Sequence, residues 1–274
     1  MTTPLHDLLA KVPFQPSNPH QKALQPWAKA ITDLVEPPVP VPPASPYTKL
    51  IFEDSFEGAQ ADLSRWNVWD NWQLDYDIAT TKRANAVVSG GKLHLQAKRE
   101  AANGRQFTTA YLDTRNGKFS FMYGRMEAMI AAPYLADPTN GLWGAFWTRS
   151  DAGNGEIDTT ELPSVKGARS STQGIFNGYS PVIKQDNTDV STVPLTDFQL
   201  YAVEWDPDSI RWYLGGRLIW ERTPATTPWF ADCFRKPHHL RLNLQCGGWV
   251  GTPAATATFP TEMTVDYVRV LQRP

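Results

Sequence analysis

From Tyr47 onward the chain consists of short runs in which hydrophobic and polar residues alternate, and turn-forming residues separate these runs. A period of two residues is typical of strands with one buried face. Predicted hairpin turns lie at residues 89–91, 206–209 and 215–216. In the last run, Val265 and Val268 place apolar side chains on both strand parities. We therefore predict an all-β fold, a sandwich of two sheets.

The first 47 residues differ from the rest, because they hold 11 of the 23 prolines but only one of the 11 tryptophans. A helical apolar stripe consists of Leu24, Trp27, Ile31 and Leu34. Residues 37–43 form a Pro-rich spacer that would extend about 20 Å. We therefore divide the chain into a helical, Pro-rich arm, residues 1–47, and a domain, residues 48–274. The stripe either packs on the domain or docks onto a partner protein, and we favour the partner.

Composition limits the class of protein. The net charge is −2 and no basic run is present, which argues against nucleic acid and membrane surfaces as partners. Two cysteines, Cys233 and Cys246, are too few for a disulfide framework, and two buried thiols are the simplest expectation. No apolar run approaches membrane-spanning length, so we expect no membrane insertion. Residues 1–4 lack a charged stretch followed by an apolar one, so we expect no secretory signal.

The candidate chemistry lies at residues 155–162, which read Gly-Glu-Ile-Asp-Thr-Thr-Glu-Leu. On a strand, Glu156 and Asp158 share a face. Glu161 lies at an odd offset from Glu156 and would face the other way, unless a β-bulge at Thr159–Thr160 restores the face. A solvated acidic strand is the plainer interpretation of this pattern. Two neighbouring carboxyl groups, one of them kept protonated, are also what glycosidic bond cleavage requires.

Tryptophans near this segment support a carbohydrate cleft. Trp143 and Trp147 precede the acidic run, and Trp249 follows two glycines. Aromatic rings stack on the apolar faces of sugars, although any one tryptophan in a sandwich is more often a core residue. We predict Trp143, Trp147 and Trp249 as substrate-binding residues. Asn85 and Gln173 complete the predicted substrate-binding set.

The chain resembles glycoside hydrolase family 16, in the bulged form found in laminarinases, agarases and carrageenases. The motifs that carry the resemblance lie at 52–58, 89–93, 123–127, 141–147, 155–161, 201–205, 243–249 and 265–270. The resemblance implies a concanavalin-like β-jelly roll and a retaining endo-hydrolase of β-linked polysaccharides. It implies Glu156 as nucleophile, Glu161 as general acid/base and Asp158 as the residue that tunes their ionisation. No cofactor is required, and a structural calcium ion at Asp266 and the Gly91 carbonyl is an open expectation.

Several positions depart from the family's laminarinases, namely residues 152–154, Gly144, Met129 and Gln173, where a histidine is often found. We read these departures as changes among glucan-contacting residues, so both β-1,3-glucan and a galactan or mixed cell-wall polymer remain candidate substrates. A carbohydrate-binding or structural adhesion protein on the same fold is the alternative function. The helical arm and the lack of a secretory signal suit a virion-associated component, such as a phage tail protein, that is released by lysis and acts outside the cell.

Overall fold

The computed structural model describes residues 45–164, 171–178, 183–190 and 193–274. The predicted docking residues Leu24, Trp27, Ile31 and Leu34 lie outside these ranges. The strands are β1 (Lys49–Asp54), β2 (Asn67–Val68), β3 (Ala79–Thr81), β4 (Ala86–Ser89), β5 (Lys92–Ala97), β6 (Phe107–Asp113), β7 (Gly124–Ala131), β8 (Leu142–Ser150), β9 (Glu156–Pro163), β10 (Ser171–Phe176), β11 (Gln185–Val190), β12 (Gln199–Asp206), β13 (Ser209–Leu214), β14 (Arg217–Arg222), β15 (His238–Cys246) and β16 (Thr261–Gln272).

Short helical segments connect some of these strands. They are 3-10 turns at Arg83–Asn85, Pro133–Ala136 and Gly248–Val250 and one α-helix, α1 (Phe230–Phe234). Within the described ranges, no helix has the length and apolar character needed to span a membrane.

The strands form two sheets, and the predicted all-β sandwich is confirmed. One sheet, here called the β7 sheet, has the order β14-β13-β12-β7-β16-β5-β4, with β1 paired to β16. The other, the β9 sheet, has the order β11-β10-β9-β8-β15-β6-β2, with β3 parallel to β6. The predicted hairpins β4–β5, β12–β13 and β13–β14 are antiparallel pairs joined at the expected turns. The acidic run 156–161 therefore lies on a strand flanked on both sides, by β8 and β10.

The core lies between the two sheets and follows from the alternation of side chains along each strand. On β8 and β15, the residues Phe146, Leu242 and Leu244 are buried and belong to this core. Trp205 and Trp212 fill it from the β7 sheet, and neither side chain is exposed. The polar and aromatic residues that alternate with these core residues lie on the opposite face of β8 and β15.

Two local features shape the pairing of β7 with β16 in the β7 sheet. Strand β7 begins at Gly124, where a side chain's Cβ would lie 2.6 Å from the Leu271 carbonyl oxygen, so a glycine is required. On β16 the register with β7 shifts between Val265 and Tyr267. Val265 and Val268 are an odd number of residues apart, and this bulge explains why both are buried. The apolar residues on both parities of this run therefore reflect a local irregularity of one strand. Cys233 and Cys246 are buried free thiols, as predicted.

Candidate active site

The predicted β-bulge on β9 is confirmed. Asp158 pairs with Gly174 on β10 and Glu161 pairs with Thr172, so two β9 residues oppose Gln173 alone. On the other side, Asp158 and Thr160 face the consecutive β8 residues Trp147 and Phe146. Thr159 is therefore the extra residue, and it returns Glu161 to the face of Glu156 and Asp158. All three carboxyl groups line the same two cavities.

Three contacts hold the bulge in place. The indole Nε1 of Trp212 reaches across the sandwich and donates a hydrogen bond to the Asp158 carbonyl oxygen at 2.8 Å. The hydroxyls of Thr160 and Ser171 are 2.7 Å apart and join β9 to β10 on the core side. A Cβ at Gly174 would lie 2.8 Å from Asp158 Oδ2, so only glycine leaves room for this carboxyl group. The β7 sheet and β10 thus both position Asp158.

The three carboxyl groups differ in their surroundings. Arg149 Nη1 lies 3.0 Å from Glu156 Oε2 and forms an ion pair with it. Burial raises the pKa of Glu156, and the positive charges of Arg149 and Arg241 partly offset this effect. Burial raises the pKa of Asp158 well above its usual range, and the charges of Glu156 and Glu161 add to the shift. The positive charge of Arg149 offsets only part of this shift.

Glu161 has the environment of a proton donor. Burial, together with the negative charges of Glu156 and Asp189, raises its pKa to about 7. In the described part of the chain, no lysine or arginine forms an ion pair with Glu161. Asp158, the residue expected to tune the ionisation of the two glutamates, has a raised pKa itself. The charges that act on Glu161 come from Glu156 and Asp189.

Two adjoining cavities form a cleft above the carboxyl groups. The larger, of about 600 Å³, extends over β10 and β11 and includes Thr172, Phe176 and Asn187. The smaller, of about 170 Å³, extends over β8 and β15 and includes Trp147 and Gln245. Both are lined by Tyr76, Glu156, Asp158 and Glu161. The acids therefore lie where the two halves of the cleft meet, which suits cleavage within a chain that occupies both.

The cleft aromatics divide into exposed and supporting rings. Trp249 is 58% exposed and Tyr76 is 68% exposed, and both line the larger cavity. Trp143 is only 5% exposed and packs against Trp249 with ring centroids 5.9 Å apart. Trp147 is half-buried, and its Nε1 donates to Asn243 Oδ1 at 2.7 Å. Tyr76 was missed, because it lies in a loop whose sequence has no periodicity. Contacts of this loop with residues 246–248, distant in sequence, bring it to the cleft.

Two predicted substrate-binding residues lie elsewhere. Asn85 is 1% exposed and its Nδ2 donates to Thr108 Oγ1 at 2.8 Å, so its amide stabilises the turn before β4. Gln173 is also 1% exposed and bonds Ser171, because alternation along β10 directs it to the core side. The cleft side of β10 carries Thr172, Gly174 and Phe176. The assignment of Asn85 and Gln173 to substrate binding was therefore wrong.

The departures from the laminarinase pattern at Gly144 and Met129 also lie away from the sugar-binding face. A Cβ at Gly144 would crowd Met263 Sδ and the Tyr134 hydroxyl, so this position faces the core. Met129 lies on β7, in the other sheet, paired with Leu200 and Tyr267. Gln173 also lies on the core side, so residues 152–154 are the one departure of the four that lies beside the carboxyl groups. The Gly153 carbonyl accepts a hydrogen bond from Arg149, the ion-pair partner of Glu156.

The calcium expectation concerns Asp266 and Gly91. Asp266 Oδ1 lies 3.2 Å from the Lys92 ammonium, which neutralises it. Glu57 Oε1 approaches Gly91, since a Cβ there would lie 3.3 Å from it. Among the side chains that the structure describes, no group of three or more His, Cys, Asp or Glu residues could hold a metal ion. The Lys92 pair does not fit a cation at Asp266, so calcium here stays a prediction and no step below uses it.

An all-β sandwich with three mostly buried carboxyl groups in one cleft defines the class of protein as a glycoside hydrolase. The model of Glycosyl hydrolases family 16 matches residues 73–269, and the chain belongs to this family. It is 32% identical over 255 residues to the Beta-glucanase of Rhodothermus marinus, covering 82% of this chain and 86% of that protein. It is 28% identical over 271 residues to the Glucan endo-1,3-beta-glucosidase A1 of Niallia circulans, covering 84% of this chain and 39% of that protein.

Solved structures support the same assignment. The endo-beta-1,3-glucanase of Pyrococcus furiosus superimposes with a TM-score of 0.71 at 28% identity, covering 84% of this chain and 98% of that chain. The predicted jelly roll is thereby confirmed. The chain is an endo-acting glycoside hydrolase of β-linked glycans.

Proposed function

We propose that the chain is a retaining endo-glycosidase in which Glu156 is the nucleophile and Glu161 the general acid/base. One observation carries the proposal, namely the unlike surroundings of the two glutamates on one strand face. Glu156 forms an ion pair with Arg149, which favours its carboxylate form. Glu161 has a pKa raised to about 7 by burial and by the charges of Glu156 and Asp189, which keeps a proton available.

In the first step, a Glu156 oxygen bonds to the anomeric carbon while Glu161 donates its proton to the glycosidic oxygen. The carbon–oxygen bond to the leaving sugar breaks, and a glycosyl ester on Glu156 results. In the second step, Glu161 takes a proton from a water molecule, whose oxygen attacks the anomeric carbon and releases Glu156. Burial and the charges of Glu156 and Glu161 raise the pKa of Asp158 well above its usual range, which reduces the negative charge that it adds beside the nucleophile.

The substrate that we favour is a β-1,3-glucan. The two relatives and the solved structure described above are named for glucan cleavage, and three of the four departures from the laminarinase pattern lie away from the cleft. A galactan-type polymer is the second candidate, because residues 152–154 next to Arg149 do differ. A panel of β-1,3-glucan, mixed-linkage glucan, agarose and carrageenan, assayed for new reducing ends, decides between them.

Proton NMR of the first-formed product tests the mechanism. Retention requires the β-anomer to appear before mutarotation, because two displacements at the anomeric carbon restore its configuration. An initial α-anomer would mean that water attacks directly and that Glu156 is not the nucleophile. Binding of a polymer without new reducing ends would instead favour the alternative, a carbohydrate-binding or adhesion protein.

The role of the arm belongs to this proposal as well. We propose that residues 1–47 dock onto a protein partner and that the enzyme acts on extracellular polysaccharide, in a virion or after release by lysis. The support is the apolar stripe and the Pro-rich spacer in the sequence alone, since none of the relatives described above is named as a virion protein.

A further inference from the structure

The two exposed rings of the cleft lie on separate segments of the chain. Tyr76 lies in the loop of residues 74–78, here called the Tyr76 loop, and Trp249 lies in the turn of residues 247–250, here called the Trp249 turn. Both side chains are more than half exposed and line the larger cleft cavity. A ring binds a ligand more tightly when its position is fixed beforehand, because less conformational entropy is lost on binding. The contacts that fix these two segments therefore bear on the affinity of the cleft.

The Tyr76 loop and the Trp249 turn are in close contact. A Cβ at Gly247 would lie 2.6 Å from Ile78 Cγ1, and a Cβ at Gly248 would lie 2.8 Å from the Tyr76 carbonyl oxygen. The Ile78 N–H donates a hydrogen bond to the Cys246 carbonyl oxygen at 2.9 Å. The backbones of the two segments therefore rest directly on each other.

Asp77 joins the two segments. Its side chain is 4% exposed, although it follows the exposed Tyr76. Its Oδ1 accepts a hydrogen bond from the Ala79 N–H at 2.7 Å and another from the Cys246 N–H at 3.2 Å. The first bond closes the Tyr76 loop onto β3, and the second reaches β15 at the residue just before the Trp249 turn. One carboxyl group thus holds together segments that are distant in sequence.

The surroundings of Asp77 make this link sensitive to pH. Its Oδ2 is buried and accepts no hydrogen bond within the described ranges. Burial raises the pKa of Asp77 to about 7, although hydrogen bonds from backbone N–H groups and the positive charge of Arg105 oppose the shift. Arg105 Nη1 itself donates to the carbonyl oxygens of Leu74 at 3.1 Å and Ala79 at 2.8 Å. The thiol of Cys246, the other titratable neighbour, stays neutral near pH 7, because burial raises its pKa.

We propose that Asp77 is a positioning residue that holds the Tyr76 loop on the Trp249 turn, so that the two exposed rings bind the sugar chain as one platform. The pair of hydrogen bonds that Asp77 Oδ1 accepts, one beside each segment, carries the proposal. Asp77 lines neither cleft cavity, so it acts through the backbone of its neighbours. The proposal rests on the proposed function in one respect, namely that the ligand of the platform is the substrate chain.

The closed arrangement of the two segments should be favoured at low pH. When the Tyr76 loop leaves the Trp249 turn, Asp77 meets water and its pKa returns towards the ordinary 3.8. Between this value and about 7 the closed form binds more protons than the open form, so closure weakens as pH rises through this window. Above about 7 the carboxyl group is ionised in both forms, and closure no longer changes with pH. Sugar binding should therefore be tighter at about pH 4.5 than at about pH 8.

Laminarin binding tests the pH dependence in the Glu161→Gln background, which prevents turnover and removes a second cleft group whose pKa is about 7. Affinity gel electrophoresis gives the dissociation constant of this parent protein and of the same protein with Asp77→Asn, which is neutral at every pH. The ratio of the two constants, parent over variant, should rise about threefold from about pH 4.5 to about pH 8. The other cleft carboxyl groups are the same in both proteins, so their effects cancel. Asp77→Ala, which lacks both hydrogen bonds, should weaken binding about tenfold, within the range of ~1–3 kcal/mol for stacked rings.

Hydrogen exchange in the absence of sugar tests the link separately from the substrate. The protection factors of the Ile78 and Cys246 amides should fall about tenfold in Asp77→Ala, because the two segments then separate more often. Asp54→Asn is the control, since Asp54 also accepts two hydrogen bonds, from the Phe56 N–H and from Trp66 Nε1, but lies on β1 of the other sheet. It removes the same charge and should leave both protection factors unchanged.

Three results would overturn the proposal: unchanged protection in Asp77→Ala, an equal loss at the same amides in Asp54→Asn, or a constant ratio of dissociation constants across the pH range. If Asp77→Ala does not fold, the ratio between the parent and Asp77→Asn decides. If the unmodified enzyme hydrolyses another polymer of the panel and not laminarin, that polymer replaces laminarin as the probe. Loss of protection in Asp77→Ala without hydrolysis of any polymer would contradict the proposed function and would still support the link between the two segments.

Discussion

The indole nitrogen of Trp212 and the backbone carbonyl of Asp158 are joined by a hydrogen bond of 2.8 Å that crosses the sandwich. Trp212 lies on β13 of the β7 sheet and its side chain is fully buried. Asp158 is the residue just before the extra residue of the β9 bulge. A core residue of one sheet therefore fixes the backbone of the other sheet between the two glutamates.

Trp212→Phe should lower kcat because it frees the bulge while it leaves every cleft side chain in place. A displacement of about 1 Å in a catalytic group can cost roughly 100-fold in rate. Trp205→Phe is a matched control, since Trp205 is equally buried and donates to the Phe234 carbonyl at 3.0 Å, away from the acids. Both changes should reduce the free energy of unfolding by about 1–3 kcal/mol, because each leaves a buried carbonyl oxygen without its hydrogen-bond donor. Equal losses of kcat in the two variants would show that Trp212 serves stability alone.

Glu156→Gln and Glu161→Gln should each reduce kcat by roughly 10²–10⁴-fold, because one removes the nucleophile and the other removes the proton donor. Glu127→Gln is a suitable control, since Glu127 forms a similar, partly buried ion pair with Arg125 in the β7 sheet. Azide should restore turnover of an activated substrate by Glu156→Ala and give an inverted glycosyl azide. Near-normal kcat in Glu156→Gln would contradict its role.

The rate should fall as pH rises through about 7, because Glu161 then loses the proton that it must donate. Stability should fall over the same range, between the ordinary pKa of 4.5 and the raised value of about 7. In this window the folded protein binds more protons than the unfolded chain, so the free energy of unfolding decreases with pH. Glu161→Gln should flatten that slope in urea titrations at a series of pH values. An unchanged slope would mean that the pKa of Glu161 is not raised in the folded protein.

The exposed and the supporting rings of the cleft should respond differently to truncation. Trp249→Ala and Tyr76→Ala should raise KM without lowering Tm, with a loss of about 1–3 kcal/mol in binding by analogy with stacked bases. Trp143→Ala should lower the free energy of unfolding by about 3–5 kcal/mol, since its side chain is 5% exposed. Leu218→Ala, an exposed residue of the β7 sheet, controls for loss of surface area. A lower Tm for Trp249→Ala would show that this ring is a packing residue.

Deletion of residues 1–44 should leave the hydrolysis rate and Tm nearly unchanged and should abolish binding to a partner. The deletion ends at 44 because Ser45 Oγ donates to Glu204 Oε1 at 2.7 Å and Tyr47 is buried. A double variant, Trp27→Ser and Ile31→Ser in the full chain, should also abolish partner binding. It tests the predicted stripe separately, because the arm keeps its full length. A Tm several degrees lower after the deletion would show instead that the arm stabilises the domain.

Much of the fold follows from local sequence. The alternation of apolar and polar residues predicts the strands, and glycine pairs such as Gly215 and Gly216 mark the hairpin turns. The sequence also predicts the bulge. Glu161 stands at an odd offset from Glu156, and the three acids can serve one site only if they share a strand face. In each case the signal lies within a few neighbouring residues, where backbone geometry alone relates them.

The tertiary structure decided which of these side chains meet. It placed Gln173 and Asn85 in the interior and brought Tyr76 to the cleft, because strand register and loop approach depend on partners distant in sequence. It also set the surroundings that raise the pKa of Glu161, namely burial and the charges of Glu156 and of Asp189 on β11. Sequence determines the period of a strand, whereas the dielectric and charge around a side chain are set by the whole fold.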